Sequence, residues 1–311
     1  MEIKCDHAVC TISINQKAYI EGMATKFGLT NAKPIHIPML PNELLTHEQS
    51  PFTPAQHTEM LKIPYRNMIG HVLWPIMISR PDTLFATGIL SYFIANPGPA
   101  HAKALKRLIL YLYTMRDCWL TFGGKNTEII AYTNADYMQQ SDHYSISGYC
   151  LQFGAGVISW SSKNQNIVTL SSMESEYVGH THTVKEIMWI WNFWAKQDGN
   201  LIVGPTLLKA DNQGMIELSN NNKFHAWTKH IDMRYHFIRE VIENEVLDIQ
   251  YVPTDKNIAD IFTKALTRPI FEKFWGMLGL HVMVQLDESW DPWTQTWGGN
   301  WRWWGIGSLL K

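Results

Sequence analysis

Two hydrophobic grammars follow one another along the chain, and the change falls near residue 127. Before it the spacing is mostly helical. Ile12 and Ile14 alternate with polar neighbours and predict a short strand. Residues 16–27 place Tyr19, Ile20, Met23 and Phe27 on one stripe, a helix ended by Gly28. Pro34, Pro38, Pro41, Pro51 and Pro54 then predict an extended connector. Helical spacing resumes at Tyr65 and breaks at Pro97, Gly98 and Pro99. Residues 101–115 predict an amphipathic helix with Leu105, Leu108, Ile109 and Leu112 on one face. Lys103, Lys106 and Arg107 lie elsewhere on it and read equally as a solvated face or as contacts to a phosphate backbone.

Beyond residue 127, period-two alternation appears. Residues 128–136 predict a strand, and 147–153 with 157–160 a hairpin turned at Gly154 and Gly156. A long helix over 173–196 follows, then a short strand over 207–211 and a helix from Asn212. Residues 228–244 predict a helix with Ile231, Ile238, Val241 and Ile242 inward, 247–252 a strand and 257–266 a last helix. That order describes an α/β fold whose mixed sheet opens with an antiparallel meander. The expected division is 1–126, mostly helical; 127–268, the α/β domain; and 269–311, a C-terminal helix and tail. Six of the 14 tryptophans lie between Trp290 and Trp304 at near-helical spacing, but Pro292 and the glycine pair Gly298 and Gly299 oppose a stable helix. The tail reads as an appendage without a core of its own.

Composition narrows the class. The chain has 311 residues, 46% of them hydrophobic and 17% charged, enough to bury a core and too apolar for wholesale disorder. A net charge of −2 excludes a polybasic nucleic-acid coat. Residues 1–128 carry a net +3 and residues 129–275 a net −4. An acidic second half does not bind phosphate by simple attraction unless its carboxylates hold metal ions. Cys5, Cys10, Cys118 and Cys150 form no C-x-x-C pair, so neither a zinc knuckle nor a disulfide framework is indicated. The N-terminus lacks a signal-peptide core. The longest apolar run, from Met68 to Ile78, is interrupted by His71 and Pro75 and falls short of the ~20 residues a membrane span needs. The expected location is the cytoplasm or the nucleus.

Several carboxylates stand at the ends of predicted elements. Asp136 lies on the first strand of the meander, Glu174 and Glu176 in the first turn of the long helix, Asp211 at a strand end and Asp260 at a helix start. Singly, each reads most simply as a cap or as a partner of a helix dipole. Together, where strand ends meet helix starts, four such groups can hold two Mg²⁺ ions for in-line phosphodiester cleavage.

The order of the segments is more specific than any one of them. YTNADY (132–137), SISGYCLQFGAGVISWSSKNQ (145–165), LSSMESEYV (170–178), ADNQGMIEL (210–218), FHAWTKHIDMRYHFIRE (224–240) and YVPTDKNIADIFTKAL (251–266) closely resemble the ribonuclease H domain of copia-type retrotransposon Pol polyproteins. LTNAKPIHIPM (29–39), YRNMIGHVLW (65–74) and the stretch 79–112 are similar to the reverse transcriptase thumb and connection of the same family. The resemblance implies a ribonuclease H-like mixed five-stranded sheet with flanking helices, preceded by a mostly helical thumb/connection region. It implies Mg²⁺-dependent cleavage of the RNA strand of an RNA–DNA hybrid, with that hybrid or another nucleic acid as partner and no membrane.

The family's site residues carry over to Asp211 in the D-N-Q motif, Asp260 in the A-D-I-x-T-K motif and Glu176 in the long helix, with Glu174 the alternative. The first position departs from the pattern. The family places Asp where this chain has Asn134, which offers one neutral carbonyl oxygen in place of two anionic ones. The resemblance therefore implies a weakened two-metal site and impaired cleavage. Asp136 is the alternative ligand, on the same face but ~6–7 Å further along an extended strand. Trp227 replaces a customary Arg, and His230 remains as an accessory group for product release or for structure. No aromatic-x-Asp-Asp polymerase motif occurs, so the chain reads as a C-terminal piece of a Pol polyprotein, partnered by a polymerase-bearing Pol chain. Two other readings stand beside this one: a catalytically inert nucleic-acid- or protein-binding remnant, and a generic acidic α/β domain with capping carboxylates.

Overall fold

The computed structural model describes residues 1–125, 128–137, 145–169, 171–196, 204–214, 216 and 229–282, with backbone alone at 229–233 and 235. Trp227, the part beyond residue 216 of the helix expected from Asn212, and the Trp-rich tail lie outside the described residues.

The chain opens with a hairpin, β1 (Glu2–Asp6) and β2 (Thr11–Asn15). Helices α1 (Lys17–Lys26), α2 (Pro54–Met60), α3 (Tyr65–Ile78), α4 (Leu84–Ser91) and α5 (Pro99–Thr114) follow. Pro99 starts α5, where its missing N–H costs nothing, and Leu105, Leu108, Ile109 and Leu112 are all buried, as their spacing predicts. They pack with Ile20, Met23, Ile69, Val72 and Ile76 in a core whose buried residues all lie within the first 112, with Tyr113 and Ala265 against it.

Strand β3 (Cys118–Gly123) leads into the meander β4 (Ile129–Asp136), β5 (Ile146–Phe153) and β6 (Gly156–Asn164). Helix α6 (Ser172–Ala195), β7 (Thr206–Ala210), α7 (Lys229–Glu243) and β8 (Leu247–Tyr251) come next. The five-stranded sheet has the order β6-β5-β4-β7-β8, antiparallel through the meander and parallel from β4 to β7 to β8. This is the ribonuclease H-like mixed sheet with flanking helices that the segment order predicts. Strand parity sorts β4 between two layers. Ile129 and Ala131 join Leu151, Leu208 and Ile249 beneath Tyr177, Val184 and Ile187 of α6 and Ile238 and Val241 of α7. Tyr132 faces the other way, with Cys150, Ile258, Ile261 and Phe262.

The helix expected over 257–266 is a single 3-10 turn, Ile258–Phe262. All five of its residues are buried, so there is no solvent face for an amphipathic helix, and the Asn257 side chain accepts from the Ala259 N–H to close the turn. After it come α8 (Arg268–Met277) and β9 (Leu280–Val282). The second sheet, β1-β2-β3-β9, was not expected beyond β2. Its strand β3 pairs with both β2 and the distant β9.

A third cluster crosses residue 127. Tyr111, Cys118 and Leu120 pack with Tyr132, Val157, Phe262, Phe271, Phe274 and Leu280. Contact here is close enough to require glycine: a Cβ on Gly156 would lie 2.1 Å from the Thr121 carbonyl oxygen. Trp160 Nε1 also donates to the Ile76 carbonyl, 3.1 Å away.

Candidate functional site

The parity of β4 that sorts the core also sorts its polar end. Thr133 points at α6, where its hydroxyl accepts from Thr183 Oγ1 at 3.0 Å. Asn134 points at the 3-10 turn. Its Nδ2 donates to Asp260 Oδ1 at 2.5 Å and to Thr263 Oγ1 at 2.8 Å. Asn257 fixes the turn by donating to the Thr133 carbonyl at 3.0 Å. The other Asp260 oxygen, Oδ2, is ion-paired with Lys264 Nζ at 2.9 Å. Both oxygens of Asp260 are thus engaged by donors of the chain itself.

The remaining carboxylates approach from neighbouring elements. β4 and β7 run parallel with Tyr132 opposite Lys209, so continuing that register by two residues sets Asp211 beside Asn134. Asp211 Oδ2 accepts from Thr254 Oγ1 at 2.9 Å. Glu176 reaches the same end of β4 from the second turn of α6 and is hydrogen-bonded by the Ala135 backbone N–H. Its Oε2 is buried without a hydrogen-bond partner, and so is Asp136 Oδ2. Strand ends of a parallel pair are where open α/β sheets place their sites.

Burial and neighbouring charge act on each of these carboxyl groups. Burial pushes the Glu176 carboxyl well above the usual range; Asp211, Asp260 and Asp136 add to this and the Ala135 N–H opposes it. Burial pushes Asp136 up to about 6, with Lys264 opposing and Asp260 adding. Asp260 is also raised, by burial first and Asp211 next, against the hydrogen bonds from Lys264 and Asn134. The structure therefore gathers Asn134, Glu176, Asp211 and Asp260, and adds Asp136 to them.

Capping does not account for these groups. Ser171 caps α6 and Asn257 the 3-10 turn. Glu174 is buried in the first turn of α6, where Ser171 Oγ accepts from its backbone N–H. His230 lies in the first turn of α7, with its side chain outside the described residues. Lys264 and Thr263, the two residues that hold Asp260 and Asn134, stand in the A-D-I-x-T-K motif, but no role for either follows from the sequence. The i,i+4 spacing of Asp260 and Lys264 was the available signal.

Among the described residues, no three His, Cys, Asp or Glu side chains stand close enough to share a metal ion. The donor chemistry nevertheless fits a divalent cation beside Glu176 and Asp136, whose buried anionic oxygens lack donors. It does not fit a second ion on Asp260, whose oxygens Asn134 and Lys264 already occupy.

Over 270 residues the chain is 38% identical to the retrovirus-related Pol polyprotein from transposon TNT 1-94 of Nicotiana tabacum, covering 86% of this chain and 20% of that one. It is 32% identical over 271 residues to the corresponding polyprotein from transposon RE1 of Arabidopsis thaliana, covering 86% and 18%. The chain belongs to the retrotransposon Pol polyprotein family. It spans about a fifth of the length of these Pol relatives. A third relative is the secreted RxLR effector protein 161 of Plasmopara viticola, 35% identical over 133 residues, which are 42% of the Pol-family chain and 94% of the effector. No family model matches. The solved LC11-RNase H1 in complex with RNA/DNA hybrid superposes with a TM-score of 0.35 at 16% identity, covering 44% of this chain and 94% of that one. Among the described residues no helix is long and apolar enough to cross a membrane.

Proposed function

We propose that the chain is a ribonuclease H-type hydrolase with an impaired site, acting on the RNA strand of an RNA–DNA hybrid. The observation that carries this reading is the meeting of Asn134, Glu176, Asp211 and Asp260, with Asp136, at the carboxyl ends of β4 and β7. In the proposed reaction a water oxygen bonds to phosphorus as the bond to the 3′ oxygen breaks, leaving a 3′ hydroxyl and a 5′ phosphate. A bound Mg²⁺ would supply charge neutralisation and a water of lowered pKa. Glu176 and Asp136 would hold it, with Asp211 as the neighbouring carboxylate. Asp260 is held back by Asn134 and Lys264, so the second ion of a two-metal site is disfavoured, and with it much of the rate. The test is hydrolysis of a labelled hybrid by the intact chain in Mg²⁺ or Mn²⁺, expected to be slow, absent in EDTA and absent after Asp211→Asn.

The engagement of both Asp260 oxygens also favours a second reading, a catalytically inert nucleic-acid- or protein-binding remnant of a Pol polyprotein. Hybrid binding without cleavage at any metal concentration would select it. We propose further that 1–126 is a partial thumb/connection region, 127–268 the ribonuclease H-like domain and 269–311 a C-terminal helix and tail, and that a polymerase-bearing Pol chain is the partner. The buried residues of two cores lie on either side of 127, which supports the division, and Ala265 against the first core and the cluster around Tyr111 and Phe274 join them.

A further inference from the structure

The outer surface of α6 has no part in the carboxylate cluster. His182, Lys185, Trp189 and Phe193 step by three, four and four residues and so share one face of the helix. The opposite face, with Tyr177, Val184, Ile187 and Ile190, is buried in the core. Trp189 is 60% exposed and Phe193 47% exposed, and their rings stack with centroids 5.6 Å apart and planes 15° from parallel. Two large aromatics facing water from the best-packed helix of the domain are costly unless something covers them.

Beside them lies a group of cations. Gln165 donates to Ser147 Oγ and to the Ser175 carbonyl, at 2.7 Å and 2.8 Å, and so pins the end of β6 against the first turns of α6. Lys163 stands two residues before it, exposed. α7 packs along α6 and brings Arg234, whose Nη1 is buried with no hydrogen-bond partner. Burial lowers the affinity of His182 for a proton, and Lys185, Arg234 and Lys163 lower it further; among the described residues no carboxylate acts on it. Glu186, the nearest acid on α6, is turned to β6, where it accepts from Ser159 Oγ at 2.7 Å. Within a domain that is acidic overall, this is a pocket of unneutralised positive charge with a buried N–H that lacks an acceptor.

We propose that this face is a contact surface for single-stranded nucleic acid, with Lys163, Lys185 and Arg234 on its phosphates and Trp189 and Phe193 stacked on its bases. The cations call for an anionic partner, and the near-parallel rings call for one with exposed π-faces. A duplex keeps its bases stacked internally, so an unpaired strand meets both demands. The surface lies on the α6 layer of the sheet, whereas Asn134 and Asp260 meet on the opposite layer. Binding there is therefore separable from cleavage.

The test is fluorescence anisotropy of labelled oligothymidylate, about 12 nucleotides long, with the full chain in EDTA across a salt titration. Trp189→Ala with Phe193→Ala should weaken binding by about thirtyfold or more and leave the salt slope unchanged. Lys163→Ala with Lys185→Ala should weaken it and lower the slope by about 1.4. Trp189→Phe should retain most of the affinity. The His182 ring protons, followed by NMR, should titrate at higher pH when the oligonucleotide is bound, because a phosphate offsets the three cations. Circular dichroism melts establish that each variant is folded. The proposal is overturned if the folded aromatic and lysine variants bind as the starting chain does. It is equally overturned if the aromatic variants change only the oligomeric state, which would make the face an interface between copies of the chain.

Discussion

Asn134 and Asp260, 126 residues apart in sequence, are joined by a 2.5 Å hydrogen bond from the Asn134 amide to Asp260 Oδ1. A neutral donor therefore sits against a buried anion on the central strand. A carboxylate at position 134 could not make this bond unless one of the pair were protonated. With Lys264 on the second oxygen, Asp260 is satisfied without any metal ion. Asn134→Asp should accordingly destabilise the metal-free chain by about 1–3 kcal/mol at pH 7, since a hydrogen bond is replaced by repulsion between buried like charges. Mg²⁺ should reverse the loss. Urea denaturation in EDTA and in Mg²⁺ checks this, and equal midpoints for the two chains in EDTA would contradict it.

Lys264 is the second clamp on Asp260. Lys264→Gln should raise the Asp260 and Asp136 carboxyl pKa values, because Lys264 lowers both. It should also tighten Mn²⁺ binding several-fold by removing a competing cation, on the order of 1 kcal/mol for a partly exposed pair. Isothermal calorimetry reads the affinity. Unchanged or weaker Mn²⁺ binding would show that Lys264 does not compete with the ion.

Asp136 sets a pH dependence. Burial raises its folded pKa from 3.8 to about 6. The folded chain then holds a proton that the unfolded chain has lost, so this group's contribution to stability is fully present below pH 3.8 and falls as pH rises to about 6. Above that it is flat. Asp136→Asn should remove this fall and leave the metal-free chain more stable at pH 7 by about 1 kcal/mol, after discounting for solvent screening. Melting temperatures from pH 4 to 7 in EDTA test it, and a slope unchanged by the substitution would contradict it.

The seam between the two halves should be sensitive to one methyl group. Gly156→Ala places a Cβ 2.1 Å from the Thr121 carbonyl and 3.2 Å from that of Leu278, both backbone atoms with little room to yield. A loss of about 2–4 kcal/mol is expected. Trp160→Phe, which leaves the Ile76 carbonyl without its donor, should cost about 1–2 kcal/mol. If both variants unfold in urea as the starting chain does, the joining cluster contributes little to stability.

Much of this architecture was legible in the sequence where a period was long and clean. The stripe Leu105, Leu108, Ile109 and Leu112, the meander with its turn at Gly154, and the run from Ser172 into the core all lie where spacing places them. β1, β3 and β9 were not legible. Each has three to six residues, and their pairing joins Leu120 to Leu280 across 160 positions, a contact that no local pattern encodes. The 3-10 turn at Ile258–Phe262 was read as part of a helix because its apolar residues also fit helical spacing. In the site, Asp211 and Asp260 could be singled out from motifs. Asp136 could be named only as an alternative, because its distance from Asn134 along the strand says nothing of how Asp260 and Lys264 lie around it.

The measurement that bears most directly on the proposed function is cleavage of a labelled RNA–DNA hybrid across a Mg²⁺ titration, comparing the starting chain with Asn134→Asp and with Asn134→Asp carrying Asp211→Asn. A fifth carboxylate in the cluster lowers the repulsion between two divalent ions and frees Asp260 from its amide donor. The account predicts slow cleavage by the starting chain, a gain of about a hundredfold or more in the single variant, and loss of that gain in the double variant. A folded Asn134→Asp chain no more active than the starting chain at every Mg²⁺ concentration would contradict it.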